Sequence, residues 1–254
     1  MDLIFGIYTL VLGLLVGSFL NVCIFRIPRE EEIVFTPSHC MACNARIRWY
    51  DLVPVFSYLA LGGKCRNCGA RLSPQYPLVE ALNGAAYLFV FLWKGFQWET
   101  LVLWILFSTL LVVAVIDLGH YIIPDGIVLF LGTAAAIHTV ARVLASQASL
   151  ADHIIGFFAA SGILLLMAVL SGGKMGGGDI KLMAVCGLLL GWQKIFLALM
   201  LGSVIGSVVG IALLATKVIR RNQMIPFGPF LSIGIFSSMA WGDRIIAWYL
   251  NSAY

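Results

Sequence analysis

Apolar runs long enough to cross a lipid bilayer dominate the chain and limit the folds open to it. A helix rises 1.5 Å per residue, so about 20 residues span ~30 Å of hydrocarbon. Hydrophobic residues make up 61% of the 254 residues and charged residues 11%, whereas a soluble domain is nearer half apolar and a quarter charged. The sequence therefore predicts an all-α, polytopic membrane protein of about eight transmembrane helices. The runs lie at about 3–25, 77–93, 98–116, 126–141, 153–170, 181–192, 195–216 and 226–250.

The first apolar run predicts an orientation for the chain. Asp2 stands where a secretory signal peptide carries positive charge, and the first arginines, Arg26 and Arg29, follow the run rather than precede it. This charge order predicts an uncleaved transmembrane helix with its N-terminus outside. The run at 181–192 is unusually short, because its twelve residues give roughly 18 Å of helix. It is expected to extend into its flanks, to tilt, or to be re-entrant.

The basic residues support the same orientation. When successive loops are assigned alternately to the two sides of the membrane, twelve of the 16 lysines and arginines fall on one side. The four on the other side are Lys94, Arg142, Lys194 and Arg244. Loops rich in lysine and arginine stay in the cytosol, so the net charge of +4 reflects orientation. The expected partner is the lipid bilayer, and no nucleic acid is expected.

Two aspartates stand where apolar runs meet polar sequence. Asp117 ends the third run and Asp179 precedes the sixth, and the runs at 126–141 and 153–170 separate them. An even number of crossings returns the chain to the same side, so both carboxylates are predicted near the cytosolic surface. Ionisable residues at a membrane span are costly and usually functional, and two carboxylates that share a proton can activate water. The alternative for Asp117 is an interfacial charge at a helix end.

The second aspartate follows a glycine run. Residues 172–178 include five glycines, which argues against a helix there and permits close approach of another peptide strand. Asp179 would lie near the N-terminus of the next helix, where the helix dipole favours an anion. The alternative, that Asp179 is an N-cap, explains neither the glycines nor the matched aspartate. After Asp117, Pro124 predicts a turn, and Asp125 is expected to cap the next helix or to support the two aspartates.

The polar segment at 26–76 contains two Cys-x-x-Cys pairs separated by 21 residues. Each pair can present two thiolates from one tight turn, and two such turns complete a structural zinc site. Small insertions cannot bury enough core to fold alone, so a metal would stabilise this one. Disulfides or redox chemistry are the alternative, which a cytosolic location disfavours, and His39 is expected to be a neighbour of the site. The predicted zinc ligands are Cys40, Cys43, Cys65 and Cys68.

These features predict three parts: a first transmembrane helix at 1–25, a cytosolic zinc-binding insertion at 26–76, and a transmembrane core at 77–254. Further motifs occur in order along the whole chain, at Gly17 to Val22, Tyr76 to Glu80, Asp117 to Asp125, Gly176 to Lys181 and Pro226 to Pro229. Together with the cysteine pairs, they resemble the motifs of the type IV prepilin peptidases, a family of leader peptidases and N-methyltransferases. Gly176-x-Gly178-Asp179 is also similar to an element of the GxGD intramembrane aspartyl proteases. The resemblance implies that Asp117 and Asp179 are the catalytic pair of an aspartic endopeptidase.

The resemblance also implies a substrate and a second activity. The substrates would be prepilins or pseudopilins of type IV pilus and type II secretion systems, whose short basic leader is removed after a glycine at the cytosolic membrane face. The new N-terminal residue would then be methylated with S-adenosylmethionine. Gly176 and Gly178 would hold the substrate through their backbone. Glu80 would contact the cationic cofactor or the substrate amine, with an ion pair to an arginine as its alternative. The protein would lie in the bacterial inner membrane.

Three other kinds of protein share some of these features. Broken helices and intramembrane acids also mark transporters, but the sequence shows no clear internal repeat of the kind expected there. A membrane redox protein would use the cysteine pairs, and metal analysis distinguishes it from a zinc protein. An archaeal preflagellin peptidase is a closer alternative, which the four-cysteine insertion disfavours.

Overall fold

α-Helices make up most of the described chain. The computed structural model describes residues 2–173, 176–220 and 223–252. The chain forms two compact units, Met1–Val112 and Val113–Tyr254, while the three-part division stays a prediction. The α-helices of the described residues are α1 Asp2–Arg26, α2 Phe56–Ala60, α3 Gln75–Lys94, α4 Trp98–His120, α5 Asp125–Leu144, α6 Leu150–Leu170, α7 Gly177–Leu190, α8 Trp192–Ala215 and α9 Gly228–Ser252.

Six of the described helices are long and apolar enough to cross a membrane, namely α1, α3, α4, α5, α6 and α8. The all-α membrane fold is therefore confirmed, but the predicted number of eight transmembrane helices is not. α7 has 14 residues, about 21 Å of helix, which is shorter than the hydrocarbon layer. α9 has 25 residues, but Asp243, Arg244 and its serines and glycines lower its apolar content.

In the first unit α1 and α3 pack along each other in opposite directions. Gly17 permits their close contact, because a Cβ at this position would lie 2.7 Å from the Cα of Glu80. One turn further along α1, the side-chain amide of Asn21 donates to the carbonyl of Tyr76 at 3.0 Å. At the next turn the rings of Phe25 and Tyr76 stack with their centroids 5.7 Å apart. These contacts align the two helices that precede and follow the cysteine-containing insertion.

In the second unit the backbones of α6 and α7 touch each other. A Cβ on Gly156 would lie 2.4 Å from the carbonyl oxygen of Gly187, and a Cβ on Gly187 would lie 2.1 Å from the carbonyl oxygen of Gly156. No other residue type fits at either position without moving a helix. Gly191, with φ of +79°, then joins α7 directly to α8. The position of α7 is therefore fixed by its C-terminal half.

Side chains of α5 and α6 satisfy the C-terminal end of α7. Carbonyls in the last turn of a helix have no partner within the helix. The carbonyl of Leu188 accepts a hydrogen bond from Thr139 Oγ1 at 2.8 Å and lies 2.7 Å from His153 Nδ1. Thr139 and His153 are both buried. A short helix can thus end inside the protein with its backbone paired.

The junction of α4 and α5 differs from the prediction. α4 continues to His120, so Asp117 lies about one turn inside the helix rather than at its end. α5 begins at Asp125, its N-cap is Pro124, and no side chain makes a capping hydrogen bond. The predicted cap by Asp125 is therefore wrong, and this carboxylate instead accepts a hydrogen bond from Lys181 Nζ of α7 at 2.7 Å.

The glycine run also differs from the prediction. Gly177 and Gly178 form the first turn of α7, although the run was expected to exclude a helix. Tertiary packing outweighs the low helix propensity of glycine at this position, because a Cβ on Gly178 would lie 2.8 Å from the Cβ of Ile123. Lys174 and Met175, which interrupt the glycine run, lie outside the described residues.

Candidate active site

Asp117 and Asp179 face the same cavity of the second unit. Asp117 comes from the last turns of α4 and Asp179 from the first turn of α7. Both line a cavity of about 860 Å³, within the usual size range of ligand pockets. Their relative exposures are 5% and 9%, so both carboxylates are largely removed from bulk water. They are also close enough for the charge of Asp117 to act on Asp179.

The backbone of Gly228 holds Asp117 in place. The N–H of Gly228, the first residue of α9, donates to Oδ2 of Asp117 at 2.8 Å. A Cβ on Gly228 would lie 2.7 Å from the same oxygen, so the contact requires glycine. Sequence reasoning missed this residue as part of the site. The signal was the motif Pro226 to Pro229, which carried no assigned role.

Asp179 lies beside glycine backbone. Gly176 is the N-cap residue of α7, and no side chain makes a capping hydrogen bond, so the alternative that Asp179 is an N-cap is wrong. A Cβ on Gly176 would lie 3.4 Å from Oδ2 of Asp179. Gly176 and Gly178 both line the cavity. The peptide groups of the glycine segment therefore lie next to the second carboxylate, where a bound peptide could reach them.

The cavity has a charged end and an apolar end. Its charged end lies where α4 and α6 end and α5 and α7 begin, and includes Asp125 and Lys181. Along α6, Ser171 lies beside this end, whereas Leu164 lies seven residues earlier, about 10 Å along the helix. The apolar residues that line the cavity include Ile122, Ile123, Leu164, Met167, Leu199, Ile225 and Phe227.

The four predicted zinc ligands meet in the first unit. The Sγ atoms of Cys40, Cys43, Cys65 and Cys68 all lie within 4.8 Å of one another, in a group that does not include His39. The Sγ atoms of Cys40 and Cys68 are 3.9 Å apart, close to the edge of about 3.8 Å expected for a tetrahedron with Zn–S bonds of about 2.3 Å. All four are free thiols. The cluster therefore fits a metal ion bound by four cysteines.

The two cysteine pairs are built by the same backbone turn. In the first, the N–H of Cys40 donates to the carbonyl of Ala45 at 2.9 Å. In the second, the N–H of Cys65 donates to the carbonyl of Ala70 at 2.8 Å. The residue after each pair has positive φ, 55° at Asn44 and 72° at Gly69. Each turn therefore presents two thiolates to one point.

An ion pair between Arg66 and Asp51 connects the turn at Cys65 to Cys68 with a neighbouring segment. Arg66 donates to both carboxylate oxygens of Asp51, through Nε at 3.1 and 3.0 Å and through Nη2 at 2.7 Å. These hydrogen bonds hold the pKa of Asp51 below its ordinary value. Asp51 lies in a short 3₁₀ helix at Trp49–Leu52, so the pair connects this segment to the cysteine cluster.

Glu80 lies apart from the cysteine cluster, in the second turn of α3. Its side chain is buried, and its Oε2 accepts the backbone N–H of Val55 at 2.7 Å. The hydroxyl of Ser18 is the other group that interacts with this carboxylate. Four ion pairs occur among the described residues, and Glu80 takes part in none of them. The expected ion pair between Glu80 and an arginine is not among them.

The fold and the site together define a multi-pass helical membrane protein with two facing carboxylates and a four-cysteine cluster. The family model of the bacterial peptidase A24 N-terminal domain matches residues 11–94, and that of the type IV leader peptidase family matches residues 104–211. The chain belongs to the type IV leader peptidase family, which confirms the resemblance seen in its motifs.

Similar proteins cover almost the whole chain. Proteins named prepilin leader peptidase/N-methyltransferase occur in Stutzerimonas stutzeri, with 35% identity over 99% of this chain and 96% of the relative, and in Pseudomonas putida, with 38% over 93% and 91%. A protein of the same name from Bacillus subtilis is 32% identical over 96% of this chain and 97% of the relative. No solved structure matches the chain.

Proposed function

We propose that this protein removes the short basic leader of type IV prepilins and pseudopilins after a glycine, and then methylates the new N-terminal residue with S-adenosylmethionine. The observation that carries the first activity is that Asp117 and Asp179, which are both largely buried, line one cavity. The relatives named prepilin leader peptidase/N-methyltransferase support both activities. The membership of the type IV leader peptidase family supports the first.

The two aspartates divide the chemistry of peptide hydrolysis between them. Two carboxylates at one desolvated site share a proton more readily than they both carry charge. The ionised partner takes a proton from water, and the protonated partner polarises the scissile carbonyl and later gives its proton to the departing amine. Oδ2 of Asp117 accepts a hydrogen bond from the Gly228 N–H. We therefore assign the other oxygen of this carboxylate, Oδ1, to the attacking water.

The cavity orients the substrate. A prepilin has a polar, basic leader before the scissile bond and an apolar helix after it. The apolar side of the cavity, at Leu164 and Met167, suits the apolar segment, and the charged end beside Asp125 suits the leader. Between them, Gly176 and Gly178 offer backbone groups that hold the scissile segment extended, as an added strand would be held.

The cysteine cluster is proposed to hold one structural zinc ion. Four thiolates are the usual donor set of a closed zinc site, and such a metal stabilises a segment too small to form its own core. Asp51 and Arg66 would hold the second cysteine turn in place around the ion. The cluster takes no part in peptide hydrolysis in this proposal.

The methyl transfer is proposed to involve Glu80. S-adenosylmethionine supplies an electrophilic methyl group on a positively charged sulfonium. Glu80 is a buried carboxylate without a basic partner among the described ion pairs, so it suits either the sulfonium or the substrate amine. This assigns the second activity to the first unit and the peptidase to the second.

The protein is proposed to lie in the bacterial inner membrane with its N-terminus outside and both sites on the cytosolic side. The six apolar helices and the family support a multi-pass membrane protein. The excess of lysine and arginine in one set of loops supports the orientation.

The test uses the full-length protein in nanodiscs, a purified prepilin and labelled S-adenosylmethionine, with product mass as the readout. The expected product has lost its leader and gained one methyl group. Asp117→Asn and Asp179→Asn are expected to abolish leader removal while the protein still accumulates. Asp243→Asn is the matched control, because this exposed carboxylate pairs with Lys194 and does not line the cavity. Cleavage at the wild-type rate by both active-site variants would contradict the proposal.

A further inference from the structure

Two buried hydrogen-bond acceptors, on Glu80 and Asn21, lie where α1 packs against α3, and Glu80 takes part in none of the ion pairs found in the described part of the chain. Glu80 is 8% exposed, and its recognised partners are the N–H of Val55 and the hydroxyl of Ser18, which are both neutral. Burying a carboxylate without a positive partner is costly. One turn along α1, Asn21 is 3% exposed, and its Oδ1 has no hydrogen-bond partner in the described part of the chain.

The orientation of the Asn21 amide follows from its other contact. Its Nδ2 donates to the carbonyl of Tyr76 at 3.0 Å. A carbonyl accepts and cannot donate, so exchanging the oxygen and nitrogen of the amide would break this bond. Oδ1 is therefore the unpaired atom. Oδ1 of Asn21 thus lacks a donor, while the Glu80 carboxylate has two neutral donors and no positive partner among the described ion pairs.

A strained turn lies against the same carboxylate. Val55 has φ of +62° and ψ of −51°, and the N–H of Phe56 donates to the carbonyl of Pro54 at 2.6 Å. This is the γ-turn with positive φ, which is rare and strained, and a β-branched residue is a genuine outlier there. The hydrogen bond from the Val55 N–H to Oε2 of Glu80 stabilises this turn. Such strain persists where the surroundings enforce it, which is often at functional sites.

Two aromatic rings pack together at the next turn of the contact between α1 and α3. The rings of Phe25 and Tyr76 are stacked within 9° of parallel, and the guanidinium carbon of Arg29 lies 4.8 Å from the centroid of the Phe25 ring. Ser18, which interacts with Glu80, is half-buried, so the carboxylate can be approached from that side. Because both recognised partners of this buried carboxylate are neutral, the site suits an organic cation better than an anion.

We propose that Glu80 and the Oδ1 of Asn21 form a binding site for an organic cation, either the sulfonium of S-adenosylmethionine or the N-terminal ammonium of the processed substrate. The site rests on the methyl transfer proposed above and adds Asn21 and the Val55 turn to Glu80.

The binding test compares ligands that differ in charge. S-adenosylmethionine carries the sulfonium, whereas S-adenosylhomocysteine has a neutral thioether in its place. In equilibrium dialysis with the wild-type protein in nanodiscs, the sulfonium is expected to bind on the order of tenfold more tightly, equivalent to about 1.4 kcal/mol. Glu80→Gln is expected to abolish this preference. Glu99→Gln, which alters an exposed glutamate of the same unit, is the matched control and is expected to keep it.

A second arm tests the ammonium. A processed pilin peptide with a free N-terminus is compared with its N-acetylated form on the same three proteins. A charge preference lost in Glu80→Gln for either ligand pair supports the site and identifies the source of the cation. Unchanged preferences for both pairs, in a Glu80→Gln protein that still removes leaders, overturn the site proposal. Absence of methyl transfer by the wild-type protein would instead contradict the proposed function.

A third measurement needs no variant. Ultraviolet cross-linking of labelled S-adenosylmethionine to the wild-type protein, followed by peptide mapping, locates the ligand directly. Label in α1, in α3 or near Val55 supports the site for the sulfonium. Label confined to the second unit, with no preference of the wild-type protein for the free-amine peptide, overturns the proposal even if Glu80→Gln fails to fold.

Discussion

Gly228 should control the rate of peptide hydrolysis although it has no side chain. In Gly228→Ala the added Cβ would meet Oδ2 of Asp117 at 2.7 Å and its Cγ at 3.1 Å. Ordinary contacts of a Cβ begin near 3.4 Å, so the carboxylate must move by several tenths of an ångström. The hydrogen bond from the Gly228 N–H, now 2.8 Å long, would weaken or break.

The size of the effect follows from that bond. A hydrogen bond to a charged group contributes about 1.5–3 kcal/mol, and each 1.36 kcal/mol is a factor of ten in rate. A misplacement of about 1 Å near a reacting centre costs about 10²-fold by itself. We therefore expect kcat for leader cleavage to fall by about 10- to 100-fold. KM should change little, because Gly228 contacts Asp117, the carboxylate proposed to be catalytic, and is not itself proposed to contact the substrate.

The assay is steady-state cleavage of a purified prepilin by the variant in nanodiscs, with two glycine controls on α9. Gly242→Ala places its Cβ 3.2 Å from Ser238 Oγ and should leave kcat unchanged. Gly234→Ala places its Cβ 2.3 Å from the carbonyl oxygen of Ala198, so it should lower stability without contacting Asp117. The reasoning fails if Gly228→Ala cleaves at the wild-type rate, or if its kcat falls only in proportion to the folded protein lost.

Three further results are expected. Metal analysis should find one zinc ion per chain, which Cys65→Ala loses and Cys186→Ala, altered at a buried thiol of α7, retains. Asp51→Asn should release the metal to a chelator faster than wild type. Because its partner Arg66 lowers the pKa of Asp51 below the ordinary value of about 3.9, the carboxylate stays ionised and the ratio of the two release rates should be constant from about pH 5 to 8, whereas at lower pH protonation of the thiolates releases the metal from both proteins. His153→Phe should destabilise the fold by about 1–3 kcal/mol, read as a lower Tm, since it removes a polar group from the carbonyl at the end of α7.

The parts of the site that follow from local spacing or from counting could be predicted. The two cysteine turns depend on residues within a few positions of each other, and the positive φ of Gly69 belongs to the same local pattern. The parity of the apolar runs predicts Asp117 and Asp179 on one side, and in the structure both line one cavity. The short length of α7 does not affect this count, because only α5 and α6 lie between the two aspartates.

The parts that depend on distant packing could not be predicted. Gly228 meets Asp117 across 111 positions of sequence, and its motif alone does not reveal which group its backbone contacts. Asp125 was expected to cap α5 because of its place in sequence, but Lys181 lies close enough to pair with it. Gly178 lies in the first turn of α7 although glycine has a low helix propensity, and the position requires glycine because a Cβ there would meet the Cβ of Ile123 at 2.8 Å.

The contact between Gly156 of α6 and Gly187 of α7 implies that the position of Asp179 depends on packing at the opposite end of α7. Gly187 lies eight residues after Asp179, about 12 Å along α7. A methyl group added at Gly156 or Gly187 would displace α7 as a whole, and the carboxylate of Asp179 would move with it. Genetic screens for defective pilus assembly should therefore recover substitutions at these two glycines, although neither of them lines the cavity.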